Sequence, residues 1–355
     1  LLDEPGDLTI YEATFSHEGV LVRTDLFFRE NGRYRFCEVK SSTKVKPQNA
    51  MDAAIQTWVL RECGVPVERV SLAHIDTAFT YAGDGDYTGL LAEEDITDEV
   101  ELLVPEVGGH VAELRSMLAG DVPPPLVGPR CAKPNACPLK DYCTRETAEY
   151  HVACLPRGGE LVPALQSEGF CDLRDVPAER LHSPDHLRVW RATCSGAAEV
   201  QPAIGEFMRA LPFPRYYFDF ETIGFAVPVW EATHPYEVLP VQFSCHVEHA
   251  DRSLDHLEFL DVSGQPPMRA CAEATVAVLG DEGPVLTYTS YEEQRLRWMA
   301  ESYPDLAPAL LAIIERLVDL HRPVQRYYYH PEMRGSWSIK AVVPTVCPEL
   351  SYDDL

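Results

Sequence analysis

The sequence has 355 residues, 46% of them hydrophobic, which suits two or three domains with sizeable cores. Its 30 basic and 56 acidic side chains give a formal net charge of −26, which argues against a protein that binds nucleic acid by electrostatic attraction alone. No apolar run approaches the ~20 residues that span a bilayer, and no signal peptide is recognisable, so we expect a cytoplasmic protein without membrane contact. The chain begins at Leu1 without an initiator methionine, and we expect a fragment of a longer protein.

The first predicted element is a β-hairpin around Asn31-Gly32. This dipeptide is the strongest short signal of a two-residue hairpin turn. The segments on either side of it, residues 20–29 and 33–39, are rich in β-branched and aromatic side chains, which predicts two strands. With these two residues as the loop, the pairing register is fixed and every strand residue has a known partner.

Two carboxylates face each other in this register. Asp25 lies opposite Glu38 with their Cβ atoms ~5 Å apart, and Lys40 shares the face of Glu38. Like charges in such a pair destabilise a sheet unless a cation lies between them. The pattern therefore predicts a Mg²⁺ or Mn²⁺ site on the two carboxylates, with Lys40 orienting water or stabilising charge on a phosphate. The alternative is a polar hairpin face that only keeps the sheet soluble.

An Asp followed one strand later by Glu-x-Lys resembles the motif of the PD-(D/E)xK nucleases. In the RecB-like branch of that superfamily, a glutamine on the next helix completes the site, and Gln56 lies on a helix predicted over residues 48–63. That branch usually has a tyrosine four residues later, where this chain has Leu60. The resemblance implies catalytic roles for Asp25, Glu38, Lys40 and Gln56. Lys44, in the basic stretch that follows, is a candidate for substrate binding or a solvated surface lysine.

Three of the eleven cysteines have a regular spacing. Cys131, Cys137 and Cys143 recur as C-x5-C-x5-C in a turn-rich segment, which would let thiolates converge on one ion or cluster; the alternative is coincidence. In the RecB-like branch, members such as CRISPR-associated exonucleases carry a four-cysteine iron–sulphur cluster, and these three resemble its trailing ligands. The resemblance implies a structural 4Fe-4S cluster whose fourth ligand lies upstream of Leu1, and a zinc site that recruits Cys154 is the competitor.

A second acidic pair opens the C-terminal part. Asp219 and Glu221, two apart on an aromatic strand over residues 215–222, project from one face, and strands seldom tolerate this without a metal or basic groups. Further elements are predicted in chain order: strands over 239–247 and 256–260, a helix over 268–279 and a strand over 284–289.

Asp-x-Glu on a first strand resembles the opening motif of the DEDD 3′–5′ exonucleases, which have an RNase H-like fold. The second motif of that family falls at Glu292, where an aspartate is usual, and Asp319 is a further acidic candidate. The closing motif would lie past Leu355, so the resemblance implies an incomplete second metal site. Lys340, in a loop-like stretch, would meet phosphate or is an ordinary surface lysine.

The chain as a whole resembles an uncharacterised bacterial family, catalogued as a domain of unknown function, in which a RecB-like module precedes a DEDD-like module. The strings that carry this resemblance include residues 10–15, 38–44, 218–222, 242–246 and 335–340.

The expected fold class is α/β (α+β) with three parts. Residues 1–145 form a restriction-endonuclease-like mixed-sheet module that ends in the cysteine cluster. Residues 146–212, where short amphipathic helices alternate with proline and glycine, form a helical connector, and residues 213–355 form an RNase H-like mixed-sheet module that is incomplete at its C-terminus.

The expected function is metal-dependent hydrolysis of phosphodiester bonds, with single-stranded DNA ends as the favoured substrate by analogy. The alternative is a non-catalytic adaptor for nucleic acid or protein, built on degenerate nuclease folds. A third hypothesis is RNA processing by the second module alone.

Overall fold

The computed structural model describes residues 6–124, 127–128, 131 and 136–350. The chain forms two units, Leu1–Pro123 with Gly224–Val238, and Pro124–Ile223 with Leu239–Leu355. Each unit combines a mixed β-sheet with helices, which confirms the predicted α/β class. In the part of the chain that the structure describes, no helix has both the length and the apolarity to cross a membrane.

The first unit contains a five-stranded sheet in the order β1-β2-β3-β4-β5, in which only β3 and β4 are parallel neighbours. Helix α1 connects these two parallel strands, as a parallel pair requires. The elements are β1 (Leu8–His17), β2 (Val20–Glu30), β3 (Arg33–Lys40), α1 (Pro47–Glu62), β4 (Val67–Ile75), β5 (Leu91–Asp95) and α2 (Thr97–Leu118).

The hairpin between β2 and β3 has the predicted turn and register. Asn31 and Gly32 both have positive φ, 50° and 79°, as a tight turn with left-handed central residues requires. Glu30 pairs with Arg33, and Leu26 pairs with Cys37. The predicted register is confirmed over these pairs, which end one residue before Asp25 and Glu38.

Helix α1 packs on the sheet through small side chains. Its Ala53 and Ala54 are fully buried against a cluster that includes Phe27, Phe36 and Leu72 of the sheet. Alanine has no side chain beyond Cβ, so the helix axis approaches the sheet closely. The polar residues that α1 carries on the same side are thereby brought near the strands.

Residues 224–238 belong to the first unit although they separate two strands of the second in sequence. Backbone hydrogen bonds tie this segment to Tyr81: the Ala232 N–H donates to the Tyr81 carbonyl (2.8 Å), and the Tyr81 N–H donates to the Thr233 carbonyl (3.1 Å). The chain therefore enters the first unit twice.

The second unit contains a five-stranded sheet in the order β11-β10-β7-β8-β9 and a two-stranded pair of β6 and β12. Its strands are β6 (Glu199–Val200), β7 (Arg215–Ile223), β8 (Leu239–Glu248), β9 (Leu254–Leu260), β10 (Val285–Thr287), β11 (Leu317–Asp319) and β12 (Tyr328–Tyr329). Its helices are α3 (Lys140–Thr147), α4 (Leu161–Ser167), α5 (Pro184–Ser195), α6 (Ala203–Ala210), α7 (Met268–Leu279), α8 (Tyr291–Ser302), α9 (Ala307–Glu315), α10 (His321–Tyr327) and α11 (Ile339–Val346).

Strand β7 is the central strand of the larger sheet. It pairs with β8 in the antiparallel sense on one side and with β10 in the parallel sense on the other, and β11 follows β10 in parallel. The carboxyl ends of β7, β10 and β11 therefore meet at one edge. The strands predicted over 215–222, 239–247, 256–260 and 284–289 and the helix predicted over 268–279 are confirmed, with ends that differ by a few residues.

A helical part of the second unit has its own core, which includes Leu165, Leu173 and Tyr329. The backbone crosses itself tightly here: a Cβ on Gly335 would overlap the carbonyl oxygen of Cys154, and Gly335 has φ +80°. Both the space and the backbone conformation at this position require glycine.

Replacing Gly335 by alanine is expected to lower the free energy of unfolding by about 3 kcal/mol or more, because the added methyl group overlaps the backbone carbonyl of Cys154. Gly264 is the matched control, since it has the same φ of +80° and no atom within 4 Å of its Cβ position. Gly264→Ala should lose only the conformational cost of about 1 kcal/mol. Urea unfolding measures both, and equal losses would contradict the close approach.

Candidate functional site

The first cluster lies where β2, β3 and α1 meet. Asp25 and Glu38 come from the facing strands, and the Asp25 Oδ2 atom accepts a hydrogen bond from the Val39 N–H at 2.7 Å. Lys40 donates from Nζ to Glu38 Oε1 at 2.7 Å. The three residues of the predicted motif are thus gathered within one short stretch of the hairpin.

Lys40 also binds Asp52, a residue of α1 that the sequence reasoning missed. The Lys40 Nζ atom lies 2.7 Å from Asp52 Oδ2, in addition to its contact with Glu38. Burial alone would lower the pKa of Lys40, but the hydrogen bonds to Asp52 and Glu38 outweigh it and raise that pKa. Lys40 is therefore a fixed ammonium group at neutral pH.

A spacing in the sequence would have identified Asp52. It precedes Gln56 by four residues, so the two side chains lie on the same face of α1. That face points to the sheet, and Gln56 is only 4% exposed. A carboxylate one turn before the predicted glutamine is a ready counter-ion for a lysine on the facing strand.

Glu38 is buried and incompletely paired. Only 5% of its surface is exposed, and within the described residues its Oε2 atom has no hydrogen-bond partner; the same holds for Gln56 Oε1. Burial raises the pKa of Glu38, an effect that the side chains of Lys40 and Gln56 partly offset and that Asp25 reinforces. An acceptor oxygen in this state lacks a donor or a cation.

A histidine lies beside the lysine on the next strand. His74 pairs with Lys40 in the parallel register of β3 and β4, so both side chains share a face. Its Nε2 atom lies 2.6 Å from Glu94 Oε1, and its Nδ1 atom 3.1 Å from the Ile75 carbonyl. Burial would lower the pKa of His74, but these two contacts raise it on balance.

The two lysines that were predicted to bind substrate belong to different units. Lys44 is exposed in the loop between β3 and α1, and Lys340 is exposed on α11 in the second unit. The substrate contacts predicted for Lys44 and Lys340 stay predictions.

The three regularly spaced cysteines lie in and before α3. The Cys137 N–H donates to the Cys131 carbonyl at 2.9 Å, and Cys143 lies within the helix. All three are partly exposed. Across the residues that the structure describes, no group of three or more His, Cys, Asp or Glu side chains is arranged to hold a metal ion.

The second cluster brings together carboxylates that are 73 positions apart in the sequence, Asp219 on β7 and Glu292 on α8. Their carboxyl groups are close enough that each shifts the pKa of the other. Asp219 retains exposed surface, yet protein atoms crowd its carboxyl group and raise its pKa. Glu292 is 3% exposed, and burial, reinforced by the negative charge of Asp219, raises its pKa to about 7.

Two further carboxylates border this pair. Asp319, at the end of β11, accepts hydrogen bonds from the Thr289 and His321 N–H groups, both at 2.9 Å, and its charge adds to the rise in the pKa of Glu292. Glu221 is exposed at the end of β7. The meeting of strand ends at one edge explains why residues from β7, β11 and the start of α8 converge.

Each cluster fits a divalent cation in the chemistry of its donors. Hard cations bind carboxylate oxygens, and each cluster offers two close carboxyl groups, one of them deeply buried. Glu292 Oε2, like Glu38 Oε2, has no hydrogen-bond partner in the part described. Two adjacent carboxyl groups with such an atom need a shared proton or a cation.

Glu292→Gln is expected to stabilise the metal-free protein at alkaline pH. Between the ordinary pKa of 4.5 and the folded value of about 7, the folded protein keeps a proton that the unfolded chain loses, so the stability falls as pH rises through that interval. The full loss is roughly 3 kcal/mol above the folded pKa. Glutamine carries no charge, and its amide can donate to Asp219.

Urea unfolding with a chelator, at about pH 5 and about pH 8, tests this dependence. The advantage of Glu292→Gln over the unchanged protein should grow toward the higher pH. Glu221→Gln, which removes an exposed carboxylate nearby, is the control and should change little. An advantage that is the same at both pH values would contradict the raised pKa.

Comparison with known proteins identifies one region. Residues 216–338 match a family model described as a domain of unknown function (DUF2779). None of the curated proteins matches the chain. The matched region contains Asp219, Glu221, Glu292 and Asp319, so the second acidic cluster lies wholly within the part that resembles this family.

Proposed function

We propose that the protein is a metal-dependent nuclease that hydrolyses phosphodiester bonds, with DNA as the favoured substrate. The observation that carries the proposal is the buried Glu38 carboxylate, whose Oε2 atom lacks a hydrogen-bond partner among the described residues although Asp25 and Lys40 lie beside it. A carboxylate pair with an adjacent ammonium group is a suitable site for a divalent ion and a phosphate.

Asp25 and Glu38 would hold Mg²⁺ or Mn²⁺, with Gln56 supporting them. When bound, such an ion supplies Lewis-acid polarisation of the phosphate and a water of lowered pKa. Lys40 would stabilise negative charge on the phosphate as a cation, because its raised pKa makes it a poor general base. The burial of Glu38 keeps bulk water from this side of the site.

Asp219, Glu221 and Glu292 would form part of a second metal site, with Asp319 as a neighbouring carboxylate. The resemblance to the DEDD exonucleases and the mutual effect of Asp219 and Glu292 on their pKa values support this assignment. Glutamate adds a methylene to the usual aspartate, and burial of Glu292 at the start of α8 brings its carboxyl group to the strand despite the extra length.

The fold proposed for each module is also supported by the place of its acidic residues. A restriction-endonuclease-like first module is supported by the acidic hairpin and the helix that follows it, and an RNase H-like second module by an acidic strand at the centre of its sheet. For Cys131, Cys137 and Cys143 we keep the structural role that the resemblance implies, in a 4Fe-4S cluster or, in competition, a zinc site.

The test of the first site is Mg²⁺-dependent degradation of labelled single-stranded DNA. Lys40→Ala and Glu38→Gln are each expected to lower the rate by about 100-fold or more. The first removes a positive charge that stabilises the transition state, and the second removes a carboxylate that would hold the metal ion. Glu68→Gln, an exposed carboxylate on β4, is the control and should keep the rate. A chelator should abolish the activity of the unchanged protein.

Asp219→Asn distinguishes the activity of the second module from that of the first. Asp281→Asn, at an exposed aspartate, is the control. A loss confined to RNA substrates would assign RNA processing to the second module. If the unchanged protein and Lys40→Ala both bind the DNA and leave it intact, the nuclease hypothesis is rejected and the adaptor hypothesis is favoured.

Asp52→Asn is expected to lower the rate by about tenfold and to move the alkaline limb of the pH profile to lower pH. Loss of one of its two carboxylate partners lowers the pKa of Lys40, so the ammonium charge disappears earlier as the pH rises. Glu62→Gln, on the same helix but exposed, is the control. A lower rate with an unchanged pH profile would exclude this positioning role for Asp52.

A further inference from the structure

A cavity of about 400 Å³ lies in the helical part of the second unit. Cavities of this size are in the range that small ligands occupy in proteins. Its walls share no residue with either carboxylate cluster. The side chains on these walls that bear on a ligand are Lys140, Asp141, Glu149, His151, Cys154 and Arg334.

His151 is the buried donor of this cavity. It is only 2% exposed, and its Nε2 atom has no hydrogen-bond partner in the described part of the chain. Its Nδ1 atom accepts a hydrogen bond from the Ala153 N–H at 3.0 Å and therefore carries no proton. The neutral ring must then carry its proton on Nε2, which makes this atom a hydrogen-bond donor.

The tautomer with its proton on Nε2 determines which kind of ligand His151 can bind. A metal ion would need the lone pair of Nε2, which the proton occupies, so the buried nitrogen does not suit a cation. Burial lowers the pKa of His151, which keeps the ring neutral and retains this arrangement. An acceptor oxygen is the partner that Nε2–H lacks.

Two cations on the wall indicate that the acceptor is negatively charged. In the described structure, neither Lys140 nor Arg334 is within ion-pair distance of a carboxylate, and both lower the pKa of the Cys154 thiol against the larger effect of its burial. Glu149 is already paired with Arg174 at 2.9 Å. Asp141 is the remaining acid on the wall, and it is exposed.

We propose that this cavity binds a phosphate monoester, with His151 Nε2–H as the deep donor and Lys140 and Arg334 as the charged partners. The tetrahedral phosphate offers several acceptor oxygens for donors that converge from different directions. A volume of about 400 Å³ exceeds that of a phosphate group, so the esterified group also has room. The proposal is independent of the proposed nuclease activity.

Titration calorimetry on the 355-residue chain tests the proposal with three probes: inorganic phosphate, adenosine 5′-monophosphate and adenosine. We expect the two phosphates to bind and adenosine not to bind. His151→Asn keeps a side-chain acceptor for the Ala153 N–H but removes the deep donor, and Lys140→Ala removes one charge. Each variant should weaken phosphate binding by about tenfold.

The controls are His182→Asn and Arg209→Ala, an exposed histidine and an exposed cation of the same unit. Both should bind phosphate as the unchanged chain does. Tighter binding of the nucleotide than of inorganic phosphate would identify the ester group as part of the ligand, and equal binding would identify the phosphate alone. The proposal would be overturned if neither phosphate gave a heat of binding, or if His151→Asn and Lys140→Ala bound phosphate as tightly as the unchanged chain does.

Discussion

Burial of carboxyl groups without full compensation is the constraint on which both acidic clusters depend. Glu38 is 5% and Glu292 is 3% exposed, each retains an oxygen atom without a partner in the described structure, and each has a raised pKa. A buried charge of this kind costs several kcal/mol unless a proton, a cation or hydrogen bonds offset it. A fold that retains two such groups gains something from them other than stability.

The two clusters offset the burial of their carboxyl groups in different ways. In the first, Lys40 supplies one positive charge, shared between Glu38 and Asp52. In the second, the pKa of Glu292 reaches about 7 beside Asp219, so near neutral pH a proton takes the place of a counter-ion. A divalent cation would displace that proton, which makes occupancy of the second cluster more sensitive to pH than occupancy of the first.

The parts of the structure that the sequence predicts best are those fixed by local chemistry. Asn31-Gly32 determines a turn, the turn determines a register, and the register places Asp25 and Glu38 on facing strands. The proximity of Asp219 and Glu292, through which each shifts the pKa of the other, has no such local cause, and only the resemblance to a known motif indicated it. Residues 224–238 belong to the first unit, where they form hydrogen bonds with Tyr81. No pattern in the sequence of this segment predicts these bonds.

Helix α1 shows why the face of a helix is harder to predict than its existence. Four apolar residues follow helical spacing along it, Met51, Ile55, Trp58 and Val59, yet only Val59 is fully buried. The fully buried positions include Ala53 and Ala54, because close approach to the sheet favours small side chains over large ones. This approach is also what brings the polar side chains of the helix to the strands.

The net charge of the chain is strongly negative, so each cation has many carboxylates with which it could pair. The sequence has 56 acidic and 30 basic side chains, and many cations of the described residues pair with a carboxylate, as Arg35 does with Glu30 at 2.8 Å. Beyond a Debye length of about 10 Å, the remaining negative charge is largely screened, so the local arrangement decides what a surface attracts. Cations that face a cavity without a carboxylate partner, beside a buried N–H donor, therefore carry more information about a ligand than the total charge does.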